Sequence, residues 1–99
     1  MYAMSCARTT DSAVYCWGSN DWGELGNGDI GTGIFGAAAT PAKVQGLGGQ
    51  AVQVVTMVGT ACALLKSGGV ECWGLNDAGQ LGHGDADYLP HPVPSPVVL

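Results

Sequence analysis

A block of fourteen residues occurs twice in this chain at a fixed distance of 56 positions. Residues 16–29 and 72–85 both read Cys-Trp-Gly-x-Asn-Asp-x-Gly-x-Leu-Gly-x-Gly-Asp, where x marks the positions that differ. Two further cysteines, Cys6 and Cys62, keep the same spacing. A long period in fixed register indicates a repeat architecture, in which one unit cannot bury its own apolar face and must pack on a neighbour. This pattern points away from a single catalytic centre.

Each repeat is predicted to contain short antiparallel β-strands. Gln50–Thr56 is rich in Val, as a half-buried strand should be. The segments Gly59–Leu65 and Val70–Trp73 flank the turn Lys66–Gly69, where Gly tolerates the positive φ of a tight hairpin. The corresponding turn of the first repeat, Thr10–Ala13, has no Gly and is the weaker hairpin signal.

The number of strands differs between the two repeats. The first repeat has no counterpart of the Gln50–Thr56 strand. A last strand is predicted after Pro41 in the first repeat and after Pro96 in the second, because Pro at the start of a strand suits an edge position. We therefore expect an all-β fold of about seven strands, three from residues 1–49 and four from residues 50–99.

Three segments of the chain resemble a known family. The segments Cys-Ala-Leu, Val-x-Cys-Trp-Gly and Asn-x-x-Gly-x-Leu-Gly-x-Gly are similar to repeats of the regulator of chromosome condensation family, and the cysteine-containing variant resembles its bacterial members. The resemblance implies a β-propeller, usually of seven four-stranded blades, whose faces act as binding platforms. The founding member of that family promotes nucleotide exchange on a small GTPase, and some bacterial relatives bind and inhibit enzymes.

Two repeats are too few to close a propeller, which takes about four to eight blades. An isolated pair of blades would expose its stacking faces and unpaired strand edges. The chain is therefore expected either to belong to a larger propeller or to associate head to tail into a ring. A trimer would supply six blades and a tetramer eight.

The four cysteines form two similar pairs. Cys6 and Cys16 flank one predicted hairpin, and Cys62 and Cys72 flank the other. Residues placed symmetrically about a hairpin turn have Cβ atoms about 4.5–5.5 Å apart, close to the disulfide range. Cross-strand disulfides, which suit an oxidising compartment, and buried free thiols are both compatible with this pattern. A zinc site would need closer Cys-x-x-Cys pairs.

Composition excludes several classes of partner. The formal net charge is −5, and only Arg8, Lys43 and Lys66 are basic, so we expect no nucleic-acid binding. No apolar segment approaches the roughly 18 residues of a membrane span. The N-terminus lacks a basic region followed by an apolar run, so no signal peptide is predicted. The expected location is cytoplasmic for a full-length chain and extracellular for a piece of a secreted propeller.

Enzyme chemistry finds little support in the sequence. The Asn-x-x-Gly-x-Leu-Gly-x-Gly segments, residues 20–28 and 76–84, are called the glycine blocks below. His83 lies inside the second of them, at the place that Asn27 has in the first, and His91 is the only other histidine. There is no Gly-x-Ser-x-Gly nucleophile motif and no phosphate-binding loop with its Lys and Ser/Thr. The Asp residues near Gly28 and Gly84 lack the spaced oxygen ligands of a calcium loop. We expect no catalytic residue, no metal and no cofactor.

The remaining function class is recognition of a protein. Trp22 stands where the second repeat has Ala78, so it either anchors a partner, packs on the neighbouring blade or covers the glycine loop of its own repeat. Phe35 and Tyr88 lie in the variable loops and are also partner-binding candidates. Four residues that recur in both repeats are expected in the core: Trp17, Trp73, Leu25 and Leu81.

The sequence thus predicts a non-enzymatic protein-binding or scaffold module that recognises its partner through face loops. A purely structural fragment, or a self-assembling ring with no ligand, is the alternative. A GTPase exchange factor is a third candidate that rests on the family resemblance alone.

Overall fold

The computed structural model describes residues 4–28, 30 and 37–98, and this part of the chain is built of β-strands. The seven strands are β1 (Met4–Arg8), β2 (Val14–Ser19), β3 (Ala37–Lys43), β4 (Ala51–Met57), β5 (Thr60–Leu65), β6 (Val70–Gly74) and β7 (Ser95–Pro96). They form two antiparallel sheets, one of three strands in the order β1-β2-β3 and one of four in the order β4-β5-β6-β7. Within the described residues, no helix has the length and apolar character that crossing a membrane requires.

The two hairpin turns place different residues in the same left-handed conformation. In the β5–β6 turn this residue is Gly68, with φ 95°, and its N–H donates to the Leu65 carbonyl at 2.9 Å. In the β1–β2 turn it is Ser12, with φ 67°. A Cβ in this region crowds the following carbonyl oxygen, so the first hairpin bears a backbone cost that the second avoids.

The positions of the last strands differ from the sequence prediction. Pro41 lies inside β3 and Pro96 ends β7, so neither proline begins a strand. Lys43 pairs with Tyr15, whereas Pro96 pairs with Glu71. Lys43 and Pro96 are therefore the equivalent residues, and the loop of the first repeat is three residues longer. Pro41 is tolerated because β3 is an edge strand whose register shifts at this point.

The cysteines of each pair lie directly opposite each other across a hairpin. Cys6 pairs with Cys16, and Cys62 pairs with Cys72. Their sulfur atoms are 2.05 and 2.08 Å apart, and none of the four is a free thiol. The structure supports the cross-strand disulfides over free thiols.

One hydrophobic core joins the two sheets. The first sheet contributes Val14 and Cys16, and the second contributes Ala61, Ala63 and Trp73. A backbone hydrogen bond of 3.2 Å from the Ala51 N–H to the Ser12 carbonyl also crosses between the repeats. Neither repeat encloses this core alone, as the period in the sequence indicates.

Replacing Ser12 by Gly is expected to stabilise the protein by roughly 0.5–1 kcal/mol, because it removes the cost of a Cβ at positive φ. The midpoint of chemical unfolding measures the change. Ser67→Gly is the matched control, since Ser67 lies in the other hairpin turn without a positive φ. An unchanged or lower midpoint for Ser12→Gly, relative to wild type, would contradict the assignment of this cost to Ser12.

Candidate protein-binding face

The repeated glycine block forms the same compact loop in both repeats. The Asn20 side chain accepts a hydrogen bond from the Leu25 N–H at 3.0 Å, and Asn76 accepts one from the Leu81 N–H, also at 3.0 Å. Both leucines are fully buried. The Asn closes the turn and the Leu attaches it to the core, which explains why both residue types recur at this spacing.

The indole of Trp73 fastens the second repeat to the glycine block of the first. Trp73 is fully buried, and its Nε1–H donates to the Glu24 carbonyl oxygen at 2.8 Å. Gly26 has φ 66°, and a Cβ there would stand 2.7 Å from Trp73 Nε1. Glycine is therefore required at position 26 for its backbone conformation and for the close approach of the ring.

Trp17, the equivalent residue of the first repeat, is only partly buried. Successive residues of a strand point to opposite faces, so Trp17 lies on the side of the first sheet opposite Cys16, which packs in the core shared with the second sheet. Trp17 thus lies at the outer side of the first sheet, where the described chain covers it only in part.

Asp87 holds the variable loop of the second repeat, residues 85–94, in one shape. Its Oδ1 accepts a hydrogen bond from the Leu89 N–H at 3.0 Å and lies 2.8 Å from His91 Nε2. The hydrogen bond with His91 is the main cause that lowers the pKa of Asp87, followed by the bond from Leu89. At the base of the loop, the Asp87 N–H donates to the Asn76 carbonyl at 3.0 Å.

The same loop lies across the glycine block of the first repeat. The His91 N–H donates to the Trp22 carbonyl at 3.1 Å, and the Gly28 N–H donates to the Pro92 carbonyl at 2.9 Å. Trp22 is partly buried at this junction. The structure therefore places Trp22 beside the variable loop of the second repeat.

Tyr88 and Leu89 stand at the tip of this loop. Their side chains are 77% and 65% exposed, although both are large and apolar. The third candidate from the sequence, Phe35, lies outside the described residues. The structure thus joins the Trp22 backbone to the loop whose tip carries Tyr88 and Leu89, and the bonds of Asp87 support that loop.

Glu24 is a buried carboxylate beneath Trp22. Its Oε1 accepts a hydrogen bond from the Trp22 N–H at 2.8 Å, but its Oε2 is buried without a hydrogen-bond partner. Burial raises the pKa of Glu24 above its ordinary value. The second repeat has Gln80 here, whose Oε1 accepts from the Ala78 N–H at 2.9 Å and whose Nε2 donates to Asp77 at 3.1 Å.

His83 and Ser95 form a side-chain hydrogen bond of 2.6 Å that ties β7 to the second glycine block. The ring of His91 meets the His83 ring edge-on, with centroids 6.0 Å apart. A Ser–His pair is two thirds of a hydrolytic triad. The Asp87 carboxylate, however, bonds His91 instead of His83, so this carboxylate does not orient His83 as a triad would require.

The sequence prediction missed two features of the site around Trp22 and the loop of residues 85–94. The support of the loop by Asp87 had only a weak signal, an Asp two residues before Leu89, which is the spacing of an Asx turn. The buried charge of Glu24 had a clearer one, because the other repeat places the neutral Gln80 at the same position.

The model of the regulator of chromosome condensation (RCC1) repeat matches residues 11–63, just over half of the chain. The chain belongs to the RCC1 repeat family. The match runs from the β1–β2 turn into β5, so one sequence repeat of this family supplies strands to both sheets. The division into residues 1–49 and 50–99, and the bacterial character of the repeats, stay predictions.

Three curated relatives have similar sequences over most of the chain. The human E3 ubiquitin-protein ligase HERC2 is 37% identical over 91% of this chain. The ultraviolet-B receptor UVR8 of Arabidopsis thaliana is 36% identical over 75%, and the RCC2 homolog of Danio rerio is 35% identical over 84%. The chain covers only 2% of HERC2 and 16% of each of the other two.

Two solved structures have the same fold. Human WBSCR16 aligns with 97% of this chain at a TM-score of 0.81 and 26% identity, and Prp20p of Saccharomyces cerevisiae with 99% at 0.85 and 19%. The chain covers 24% of each of these proteins. The predicted all-β fold of propeller blades is confirmed.

Replacing Glu24 by Gln is expected to stabilise the protein at pH 7 by about 1 kcal/mol, because it removes a buried acceptor without a partner. The new amide can donate to Asp21 as Gln80 donates to Asp77. The folded-state pKa of Glu24 lies above the unfolded value of about 4.3. Protonated Glu24 therefore makes its full contribution to the stability of the wild type below about pH 4.3. That contribution is lost as the pH rises through the folded-state pKa, because the buried carboxylate then becomes charged.

Unfolding midpoints of wild type and Glu24→Gln between pH 4 and pH 8 test this expectation. The advantage of Glu24→Gln should grow with pH. A difference between the two midpoints that does not change with pH would show that burial does not destabilise the charged Glu24 carboxylate. A Glu24→Gln variant that is less stable than the wild type at pH 7 would show the same.

Replacing Gly26 by Ala is expected to cost about 2–4 kcal/mol, of which about 1–2 is the positive φ and the rest the displacement of Trp73. Gly28→Ala is the matched control, since Gly28 also has a positive φ, 85°, but a Cβ there meets no atom within 4 Å. Equal losses of unfolding free energy in the two variants would exclude the contact with Trp73 as the reason for glycine at 26.

Proposed function

We propose that this chain is a non-enzymatic protein-binding module of the RCC1 repeat family, which contacts its partner through Tyr88, Leu89 and the adjacent Trp22. The observation that carries the proposal is the exposure of Tyr88 and Leu89 at the tip of a loop held by hydrogen bonds. Phe35 belongs to the proposed contact set through its place in the other variable loop.

The physical argument concerns the cost of ordering a binding loop. A large apolar side chain kept in water gives up the free energy of burial, about 1.5–3 kcal/mol. A loop that is already ordered loses little entropy when a partner covers it. Aromatic residues presented in this way are enriched among the residues that dominate binding energy. The bonds of Asp87 supply that order here.

The relatives support binding as the class of function. RCC1 repeat propellers act as protein-binding platforms or exchange factors, and the structure of Prp20p is described with its binding to Gsp1p and histones. The chain covers a quarter or less of these proteins, and the likeness to Prp20p at 19% identity concerns the fold alone. An exchange-factor role for this chain therefore rests on family membership only.

The double variant Tyr88→Ala, Leu89→Ser is expected to weaken partner binding at least tenfold without changing the unfolding midpoint, because both side chains project from the fold. Cross-linking of the wild type in an extract of its source organism, with mass spectrometry, identifies the partner. Titration with the purified partner then gives the affinities. Val58→Ser is the control, since Val58 is 72% exposed in the β4–β5 turn.

Equal affinities of the wild type and the double variant would exclude the loop tip as the binding site. Failure of the wild type to capture any protein would favour the purely structural alternative. A small GTPase as the captured partner, with faster nucleotide release in the presence of this chain, would favour the exchange-factor alternative.

A further inference from the structure

We infer that a second copy of this chain docks its second repeat against the first repeat, through the contacts that already join the two repeats inside one chain. The surfaces concerned are the outer sides of the two sheets. The inference goes beyond the proposed recognition of another protein and does not depend on it.

The interface inside the chain has two unlike sides. The first repeat presents Val14 and Cys16, which are buried against the second repeat. The second repeat presents Ala61, Ala63 and Trp73, and each of these three is fully buried. Ala61 and Ala63 lie on the same face of β5, two residues apart, so their small side chains let the sheets approach. The indole fills the remaining space.

The outer face of the first repeat has residues equivalent to the side that Ala61, Ala63 and Trp73 form in the second repeat. The residues 56 positions before Ala61, Ala63 and Trp73 are Ser5, Ala7 and Trp17. Their strand register is the same, since Ser5 pairs with Trp17 as Ala61 pairs with Trp73. Unlike their counterparts, Ser5 and Ala7 are exposed and Trp17 is only partly buried. We call these three residues the front face.

The outer face of the second repeat has residues equivalent to the side that Val14 and Cys16 form in the first repeat. Val70 and Cys72 are the counterparts of Val14 and Cys16, and of these two only Val70 is partly exposed, since Cys72 is already buried within the chain. Val70, Val55 and Leu64 line an open groove of about 280 Å³. Val55 and Leu64 are 47% and 38% exposed, and Val70 is less buried than Val14. Val55, Leu64 and Val70 form the back face, an apolar sheet surface that the described chain leaves partly uncovered.

A specific hydrogen bond fixes the register of the proposed contact. Inside the chain, Trp73 Nε1 donates to the carbonyl of Glu24 in the glycine block. The residue 56 positions after Glu24 is Gln80, in the second glycine block. When the back face of one copy meets the front face of another, the Gln80 carbonyl of the first copy is the equivalent acceptor for Trp17 Nε1. The Val97 side chain, which a Cβ on Gly82 would meet at 2.7 Å, has to move aside for this contact.

We assign a second copy of this chain to these faces because each copy carries both a front face and a back face. The interface between the two repeats inside one chain shows how two such faces pack together. Front and back differ, so the association is heterologous and proceeds head to tail. It closes only as a ring, of six blades in a trimer or eight in a tetramer. The net charge of −5 on each copy opposes the contact, so apolar burial has to supply the attraction.

Light scattering over a range of concentrations in high salt, which screens the repulsion between copies, tests the inference. The wild type is expected to gain mass with concentration toward three or four chains. Ala7→Arg blocks the front face and Val70→Arg blocks the back face, so each variant alone is expected to remain monomeric. Gln45→Arg adds the same charge at an exposed site outside both faces and should associate like the wild type.

The decisive arm mixes the two blocked variants. Each retains one intact face, so an equimolar mixture should form a 1:1 dimer and nothing larger. Circular dichroism and the unfolding midpoint verify that each variant is folded, which is expected because Ala7 is exposed and Val70 lies at the groove. A less disruptive pair, Ser5→Arg with Leu64→Glu, serves if either fails to fold.

Three results would overturn the inference. One is a wild type that stays monomeric at every concentration, which would assign the faces to an occupant other than a second copy. Another is association of either blocked variant at the wild-type level. The last is a mixture of folded blocked variants that stays monomeric while the wild type associates, because this would exclude the pairing of front with back.

Discussion

The seating of one tryptophan on the glycine block of the neighbouring repeat is the contact on which the rest of this structure depends. Trp73 spans the boundary between the sheets, with its ring in the core and its Nε1–H on the Glu24 carbonyl. The contact requires Gly at 26, and it brings the second repeat close enough for its variable loop to bond the first at Trp22. The contact of Trp73 with the first glycine block thus holds the core together and positions the candidate binding loop.

Much of the fold could be predicted because residues placed symmetrically about each hairpin turn must pair across the two strands, and the 56-residue period shows that both repeats share this pairing. The spacing of Cys6 and Cys16 about a turn indicated which strand positions face each other, and the structure pairs them. The missing counterpart of Gln50–Thr56 correctly predicted a sheet of three strands beside one of four. Such features depend on local hydrogen-bond geometry, which a short stretch of sequence determines by itself.

Other features depend on contacts between distant segments and left little trace in the sequence. The prolines at 41 and 96 suggested the wrong starting points for the last strands, because pairing partners in β2 and β6 decide that register. The burial of Glu24 follows from the approach of Trp22 and of the second repeat, which a propensity for turns does not encode. The loop with Tyr88 could be located as variable, but its exposed tip follows from the support of Asp87.

Hydrogen exchange at the three indole N–H groups, followed by NMR, measures the seating of tryptophan most directly. Because Trp73 is fully buried and bonded, its Nε1–H should exchange only through global unfolding of the chain. The Nε1–H of Trp17, which is only partly buried, should exchange far faster in the monomer. Exchange of Trp73 as fast as that of Trp17 under conditions where the chain is folded and monomeric would contradict the account.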